Sequence, residues 1–461
     1  MTGSEIPPTE QGEIELGIPG FDDALGKLPR GFVLCVLGGP GVGKTVFGIQ
    51  AACHAASQGR KVLYVTVAQD SLSLKRQAAS LGRDLSKLEQ SGFLKIHHIP
   101  APVDASESQQ TLVDLKYEVE SLSPDILIID GAAALARELT SSALIGMVGR
   151  GIFQVVRDRG ILLIALLDEG ILEQNFDLKQ CAMKNSDVVL WFGWRSVGKL
   201  RVRSARVLKA RGIDVKRPEW GFAISGVSGG IGTLFIPDSL DHVPRREGFL
   251  STGLPGLDEF LGGGIPKGSL TLILGPTGAG KAELASAIAA NLANRGRRVL
   301  ILSFELVKSD VEALVEEFGL RPDRSSYIDI HSLEPQVIDT IDQLTGVMKR
   351  IIEFRPEVIV TLGYASLEMW LGLDVALYLM RHMQCMAKVR DLTILVTARA
   401  RDPEEHAETY AHYADLILSL RRQEREGVKR VITVLKSRNP ELEGRSGLLE
   451  IKRGSIRVIP R

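Results

Sequence analysis

One unit occurs twice in this chain of 461 residues, and the distance between its two copies sets the scale of the fold. Each copy opens with a phrase rich in glycine and proline, GIPGFDDALGKLPRG at 17–31 and GLPGLDEFLGGGIPKG at 253–268. An apolar segment and a glycine-rich loop follow each phrase, and the loop lysines Lys44 and Lys281 are 237 positions apart. Solenoid repeats have periods of roughly 20 to 50 residues. Each copy is therefore long enough to be a whole domain.

Strand-like and helix-like segments alternate in the same order in both copies, which predicts an α/β fold. Short apolar runs such as 161–167 have the length of strands buried on both faces. Such runs separated by helical stretches predict a mostly parallel sheet with helices on both faces. Each copy ends in alternating sequence that predicts terminal β-hairpins. The polar segment 237–248 predicts a linker, so that domain 1 spans 1–246 and domain 2 spans 247–461.

The glycine-rich loop of domain 1 matches the phosphate-binding pattern G-x-x-x-x-G-K-[ST] in full, between an apolar strand and an amphipathic helix. Glycines allow backbone N–H groups to converge on phosphate oxygens at a helix N-terminus. We expect Lys44 to reach the β- and γ-phosphates of a nucleotide and the Thr45 hydroxyl to ligate Mg²⁺. The residues expected to bind the nucleotide are Gly38, Gly39, Pro40, Gly41, Val42, Gly43, Lys44 and Thr45.

An aspartate in the right place to complete the metal site follows the apolar segment 126–129. Asp130 at the end of this predicted strand is the kind of residue that holds Mg²⁺ near the phosphates. An aspartate that ends a strand often only caps the next turn. Its presence in a chain with a complete phosphate loop favours the metal role. Domain 1 is therefore predicted to bind MgATP, with Thr45 and Asp130 on the metal.

The loop of domain 2 keeps the phosphate cradle but lacks both metal ligands. Ala282 stands at the position of Thr45, and Leu362 stands at the position of Asp130. The loop backbone and Lys281 still offer an anion site, so a nucleotide site and a relict loop are both open at this point. The residues of this loop expected to contact phosphate are Gly275, Gly278, Gly280 and Lys281.

The order of these features resembles the KaiC-like family of tandem RecA-type P-loop ATPases over nearly the whole chain. The resemblance rests on the opening phrase G-[IL]-P-G-[FL]-D, the two loops, the strand ending at Asp130 and a late K-x-R in each copy. It implies a homohexamer of two stacked rings, with ATP between subunits and the K-x-R cations reaching a neighbour's γ-phosphate. By position these cations are Lys209 and Arg211 in domain 1, and Lys436 and Arg438 in domain 2.

The chain departs from this family where the attacking water is activated. Members that hydrolyse ATP carry adjacent glutamates after the second strand, whereas 67–70 here is VAQD. Gln69 and Asp70 are tentative candidates to orient or activate water, and Glu305 is a third candidate in domain 2. We expect ATP hydrolysis to ADP and phosphate in domain 1 to be slow or absent. Autophosphorylation of the clock type is not expected, because 408–415 lacks hydroxyl groups at the two acceptor positions.

Three functions follow from these residues. The first is a nucleotide-dependent ring assembly in signalling or regulation, which displays a surface to an unidentified regulatory protein. The second is an active ATPase of the KaiC-like family, and the third is a RecA-like DNA-handling protein. Equal numbers of basic and acidic residues, 56 each, and only 5% aromatic residues argue against nucleic-acid binding. Four basic residues of the first terminal hairpin are expected on a solvated face: Lys199, Arg201, Arg203 and Arg206.

Composition points to a soluble protein of the cytoplasm. No apolar stretch approaches the roughly 18 residues of a membrane span, and the N-terminus lacks the pattern of a secretory signal. The four cysteines are far apart and lie mostly in apolar runs, which is typical of reduced thiols. No membrane partner is expected.

Overall fold

The structure is a computed structural model that describes residues 12–67, 69–136, 138–139, 151–226, 230–233, 247–423 and 429–460. These residues divide into two compact units: 12–195 with 202–233, and 196–201 with 247–460. Most of the predicted linker lies outside the described residues, so the boundary between 246 and 247 stays a prediction.

The described part of domain 1 contains eleven strands and nine α-helices. The strands are β1 (Glu13–Ile14), β2 (Leu28–Pro29), β3 (Val33–Gly38), β4 (Val62–Thr66), β5 (Leu94–His98), β6 (Ile126–Asp130), β7 (Leu162–Asp168), β8 (Val188–Val197), β9 (Leu200–Ala210), β10 (Glu219–Ser225) and β11 (Gly230–Thr233). The helices are α1 (Phe21–Leu25), α2 (Lys44–Ser57), α3 (Ser71–Ser80), α4 (Leu85–Gln90), α5 (Ala105–Leu122), α6 (Ala132–Ala136), α7 (Phe153–Asp158), α8 (Glu169–Gln174) and α9 (Phe176–Asn185).

Nine of these strands form one sheet in the order β11-β10-β9-β8-β3-β7-β6-β4-β5. The six strands from β8 to β5 pair in parallel, and β9, β10 and β11 pair antiparallel. Neighbouring side chains of β3 enter different cores: Leu34 packs with Phe47 of α2, and Cys35 packs with Leu112 of α5. Helices therefore cover both faces of the sheet, as predicted from its fully apolar strands.

Domain 2 repeats this architecture in its described part. Its strands are β12 (Phe249–Leu250), β13 (Ile265–Pro266), β14 (Leu270–Gly275), β15 (Val299–Ser303), β16 (Ile328–Ser332), β17 (Val358–Leu362), β18 (Thr393–Arg399), β19 (Leu416–Gln423), β20 (Lys429–Lys436), β21 (Ser446–Lys452) and β22 (Ser455–Pro460). Its helices are α10 (Leu257–Phe260), α11 (Lys281–Asn294), α12 (Lys308–Glu317), α13 (Thr345–Phe354), α14 (Ala365–Leu371), α15 (Leu373–Val389) and α16 (Pro403–Tyr410). The sheet order is β16-β15-β17-β18-β14-β19-β20-β21-β22, parallel from β16 to β19 and antiparallel beyond.

The predicted fold class is confirmed, since both units are mostly parallel α/β sheets that end in β-hairpins. The carboxyl ends of parallel strands gather at one edge of a sheet, where α/β proteins bind ligands. At that edge Gly38 pairs with Asp168, and Thr66 pairs with Asp130. Within the described residues, no helix combines the length and apolar character that crossing a membrane requires.

The opening phrase of each copy has a structural role. Its aspartate turns back to bind the loop before it: Asp22 accepts hydrogen bonds from the backbone N–H groups of Leu16 and Ile18, at 2.8 and 2.7 Å. Asp258 accepts the backbone N–H of Thr252 at 2.8 Å in the same way. These bonds stabilise the turn that leads into each phosphate-loop strand.

Candidate functional site

The phosphate loop of domain 1 connects β3 to α2 as predicted. Gly41 and Gly43 have φ angles of +74° and +108°, which favour glycine. A Cβ atom at Gly43 would lie only 2.5 Å from Ile224 Cδ1. Val42 is buried in the core below the loop. The pattern G-x-x-x-x-G-K-[ST] therefore reflects both backbone conformation and close packing.

Lys44 lies inside this loop. Its Nζ donates hydrogen bonds to the carbonyl oxygens of Gly38 at 2.5 Å and Gly39 at 2.7 Å. Burial lowers the pKa of Lys44, and the carboxylate of Asp168, 3.7 Å from Nζ, opposes that fall. Asp168 was missed by the sequence analysis, although its place at the end of β7, next to the loop strand, was a usable signal.

The predicted metal ligands lie together. Asp130 is 3% exposed and is hydrogen-bonded to the Thr45 hydroxyl. The Tyr64 hydroxyl donates a second hydrogen bond to Asp130 Oδ2 at 3.1 Å. Burial raises the pKa of the Asp130 carboxyl, and these two hydrogen bonds together with the charge of Lys44 oppose the rise. A hydroxyl and a carboxylate are the oxygen donors that Mg²⁺ prefers, so the residues of domain 1 fit this ion.

The loop of domain 2 has the same backbone path, with φ angles of +75° at Gly278 and +97° at Gly280. A side chain at Gly275 would collide with the Leu420 carbonyl oxygen, 2.4 Å from its Cβ. Lys281 Nζ donates to the carbonyl oxygen of Pro276 at 2.8 Å. Burial lowers the pKa of Lys281, and the charge of Glu305 opposes that fall. The loop of domain 2 therefore keeps the glycine conformations and the inward lysine of the domain 1 loop.

The metal side of this second loop is different. Ser303 pairs with Leu362 as Thr66 pairs with Asp130, so the buried Leu362 occupies the place of Asp130. Together with Ala282 in place of the threonine, this leaves a phosphate cradle without the oxygen ligands of domain 1.

Comparison with known proteins gives both units the same assignment. A protein-family model described as "ATPase: KaiC" matches residues 14–233 and again residues 250–461. The chain belongs to the KaiC ATPase family.

Individual relatives agree with this family. The circadian clock protein KaiC2 of Synechocystis sp. is 29% identical over 330 residues, which are 69% of this chain and 56% of that protein. The circadian clock oscillator protein KaiC of Rippkaea orientalis is 25% identical over 366 residues, with 76% and 69% of the two chains covered. Its namesake from Prochlorococcus marinus is 25% identical over 449 residues, with 92% and 88% covered. The match to KaiC2 thus spans just over half of that relative.

The K-x-R lysines of this KaiC-family chain bind main-chain carbonyl oxygens. Lys209 Nζ donates to those of Met183 and Ser186, both at 2.5 Å, at the end of α9. Lys436 binds the carbonyl oxygens of Ala411 and Ala414 after α16. Both lysines therefore hold the end of a helix within their own subunit, and their contact with a neighbour's phosphate stays a prediction.

The arginines of the two K-x-R motifs differ. Arg211 is exposed, whereas Arg438 forms an ion pair with Asp415 at 3.1 Å. Burial lowers the pKa of Lys209, and the charge of Arg211 lowers it further. Arg211 is thus exposed beside this lysine, and its contact with a neighbour's phosphate stays a prediction.

The candidates for water activation in domain 1 are occupied by local contacts. Asp70 caps the N-terminus of α3, where it accepts the Ser73 N–H at 2.9 Å and the Ser73 hydroxyl at 2.8 Å. These hydrogen bonds lower the pKa of Asp70, which makes it a weaker base. Gln69 Nε2 donates to Gln77 Oε1 at 3.0 Å. Their catalytic roles stay predictions, and the contacts of Asp70 do not favour its role.

Glu305 is the exposed candidate in domain 2. Two equivalent hydrogen bonds align the two domains here. The Ser303 hydroxyl donates to the carbonyl oxygen of Leu306 at 2.7 Å, and the Thr66 hydroxyl donates to that of Gln69 at 2.7 Å. Glu305 thus stands where domain 1 has residue 68, which lies outside the described residues. Domain 2 has a carboxylate at this position, and Ala282 and Leu362 stand in place of Thr45 and Asp130 in the same domain.

Arg203, expected on a solvated face, is only partly exposed, and its Nε atom is buried. Its Nη2 donates to the Gly41 carbonyl oxygen of the phosphate loop at 3.3 Å, and its guanidinium lies 4.3 Å from the ring centroid of Trp194. Arg430 holds the equivalent place in domain 2. A Cβ atom placed on Gly280 would lie 3.6 Å from the Nε atom of Arg430. The pairing between strands decides where these two arginines lie, and the residue pattern of one strand alone does not reveal that pairing.

Proposed function

We propose that this KaiC-family protein is a nucleotide-dependent assembly protein in signalling or regulation, in which MgATP bound by domain 1 joins subunits into a ring and is hydrolysed slowly or not at all. The observation that carries the proposal is the contrast within domain 1. Lys44, Thr45 and Asp130 converge at the phosphate loop, whereas Asp70, the carboxylate after the second strand, is engaged as a helix cap.

The first part of the proposal, binding of MgATP, follows from the phosphate loop of domain 1. Backbone N–H groups of 38–45 and the Lys44 ammonium are the partners expected for the phosphates of ATP. Thr45 and Asp130 are the residues that would hold Mg²⁺, which neutralises phosphate charge when it is bound. Tyr64 would keep the Asp130 carboxylate oriented towards that ion. These groups come from three adjoining elements, which supports a site that is formed before the nucleotide binds.

The second part of the proposal, slow turnover, follows from the residues available to activate water. Phosphoryl transfer to water depends on a residue that positions or activates the water. Asp70 is committed to the N-terminus of α3 and has a lowered pKa, and Gln69 is bound to Gln77. An amide that must first leave a partner is a poor substitute for the glutamates of hydrolysing relatives, so binding outlasts turnover.

The third part of the proposal, assembly, rests on the resemblance to family members that form stacked hexameric rings. In such a ring, Lys209 and Arg211 of this chain would meet the γ-phosphate bound by a neighbouring subunit. A ligand that binds only the assembled state stabilises it, by about 2.7 kcal/mol at 100 times its Kd. Bound ATP therefore acts as a switch for the ring without being consumed. The clock proteins among the relatives support a regulatory role, and the four buried, free cysteines support a location in the cytoplasm.

The test is the mass of the assembly. Wild-type protein is expected to form hexamers in MgATP and smaller species without nucleotide, measured by light scattering after size exclusion or by native mass spectrometry. Lys44→Ala removes the loop cation and is expected to prevent nucleotide-driven assembly. Lys87→Ala, an exposed lysine of the same domain, is the matched control and should assemble like wild type. A hexamer that forms equally well without nucleotide, or with Lys44→Ala, refutes the proposal.

A further inference from the structure

The second phosphate loop differs from the first by a concerted change on the side where the first holds its metal ligands. In domain 1 the strand next to the loop strand ends in an acid, because Gly38 pairs with Asp168. In domain 2 the same position is basic, because Gly275 pairs with Arg399. A carboxylate beside the first phosphate loop is thus replaced by a guanidinium beside the second.

The two positions that correspond to Thr45 and Asp130 are apolar in domain 2, and the acid on this side is Glu305, whose Oε2 would lie 2.8 Å from a Cβ atom placed on Gly363. Leu362 is 1% exposed and packs in the core, and Ala282 offers no hydroxyl. The tyrosine that holds Asp130 also has no counterpart: Ile301 lies two residues before Ser303, as Tyr64 lies two residues before Thr66. Magnesium needs oxygen ligands at this place. The residues of domain 2 do not fit a Mg²⁺ ion bound in the manner of domain 1.

Cations surround the same loop. Burial is the main cause of the lowered pKa of Lys281; the charge of Arg399 lowers it further, and the charges of Glu305 and Glu283 oppose the fall. A Cβ atom placed on Gly278 would lie 3.9 Å from the Nη1 atom of Arg422. The Nε atom of Arg430 is buried near Gly280 and has no hydrogen-bond partner among the described residues. The loop therefore combines an anion cradle with several side-chain cations.

We propose that the loop of domain 2 binds the triphosphate of a nucleotide without a divalent metal ion, with Arg399 supplying the positive charge on the side where domain 1 holds Mg²⁺. A guanidinium presents paired N–H donors that match phosphate oxygens and stays charged at every physiological pH. It supplies phosphate-neutralising charge where domain 2 lacks counterparts of the Thr45 hydroxyl and the Asp130 carboxylate. This inference rests on the proposed function only in taking a nucleoside triphosphate as the ligand.

The experiment isolates the second loop in the full-length chain. Binding of a fluorescent ATP analogue is measured in EDTA and in MgCl₂ for Lys44→Ala, and again for Lys44→Ala with Lys281→Ala. The signal lost in the double variant belongs to domain 2. Arg399→Asp is then added to Lys44→Ala, with the exposed Arg390→Ala as a matched control. Circular dichroism and thermal unfolding of each variant show whether it is folded.

The expected result is binding to Lys44→Ala whose affinity in EDTA is within about twofold of that in MgCl₂. Arg399→Asp is expected to weaken it by roughly tenfold or more, since it reverses a phosphate-facing charge, and Arg390→Ala should leave it unchanged. Inorganic tripolyphosphate should displace the analogue, because the phosphates carry recognition.

Binding that requires Mg²⁺, absence of binding in both buffers, indifference to Arg399→Asp in a folded variant, or failure of tripolyphosphate to compete would each overturn the inference. These outcomes do not decide the proposed function, which is tested by a different measurement. That test compares the assembly of wild type with that of Lys44→Ala and so concerns domain 1.

Discussion

Tyr64→Phe is the substitution that probes the metal side of domain 1 most finely. Tyr64 is fully buried, and its hydroxyl donates to Asp130 Oδ2 at 3.1 Å without being a metal ligand itself. Phenylalanine keeps the ring and removes only the donor. The buried carboxylate then loses one of its two hydroxyl partners, while the Thr45 hydroxyl remains.

The structure sets the size of the effect. A hydrogen bond to a charged group contributes about 1.5–3 kcal/mol, so the free energy of unfolding should fall by roughly that amount at neutral pH. Removing a residue that orients a metal ligand costs about 10-fold to 100-fold in metal affinity. We therefore expect Tyr64→Phe to raise the Mg²⁺ concentration needed for half-maximal ATP binding by about 10-fold to 100-fold.

The assay is a Mg²⁺ titration of fluorescent ATP binding, with urea unfolding measured on the same samples. Tyr117→Phe, an exposed tyrosine of the same domain, is the control and should change neither quantity. Binding in EDTA by domain 2 should also stay constant. If Tyr64→Phe lowers stability but leaves the Mg²⁺ requirement unchanged, then Tyr64 is only a packing residue and Asp130 does not serve the metal.

Three further predictions concern single carboxylates. Asp130→Asn should abolish Mg²⁺-dependent ATP binding yet raise the melting temperature of the nucleotide-free protein at neutral pH, because burial raises the pKa of the wild-type carboxyl and so penalises its charged form. That advantage should shrink as the pH falls towards the raised pKa, where wild type is protonated in the fold; a pH series of melting curves checks the sign. Asp70→Ala should lower the urea midpoint through the lost α3 cap and leave phosphate release at the wild-type level, whereas a large fall in release would show that Asp70 is a base. Glu305→Gln should likewise leave phosphate release unchanged in a coupled-enzyme assay, since its loop has no metal ligands, and a marked loss would place hydrolysis in domain 2.

The sequence predicted what is local or repeated. Glycines at fixed spacing require a particular loop, so Lys44 and Thr45 were predictable, and fully apolar strands required helices on both faces. The complete phosphate loop led to Asp130 as a candidate metal ligand, and the structure places it against the Thr45 hydroxyl, while its metal role stays a prediction. Such features follow from short stretches of chain, and the second copy repeats the loop and the apolar strands but not Thr45 or Asp130.

The rest depends on strand pairing. Tyr64 lies 66 positions from Asp130 in the sequence, and only the parallel pairing of β4 with β6 brings them together. Arg203 was expected on a solvated face as one of four basic residues of a hairpin, yet in the sheet it pairs with Phe222 and donates to the Gly41 carbonyl oxygen of the phosphate loop. Lys209 was assigned to a neighbouring phosphate, and it contacts the carbonyl oxygen of Met183 in α9, 26 positions earlier in the chain, which no motif records.

The central claim is that domain 1 holds ATP more readily than it hydrolyses it. The most direct measurement is the identity of the nucleotide in the assembled protein: the hexamer is isolated after prolonged incubation with MgATP, its nucleotide is released and separated by chromatography, and free phosphate is followed over the same period. The account predicts bound ATP, little phosphate, and loss of the Mg²⁺-dependent fraction in Lys44→Ala. Bound ADP with steady phosphate release that disappears in Lys44→Ala would contradict it and establish an active ATPase.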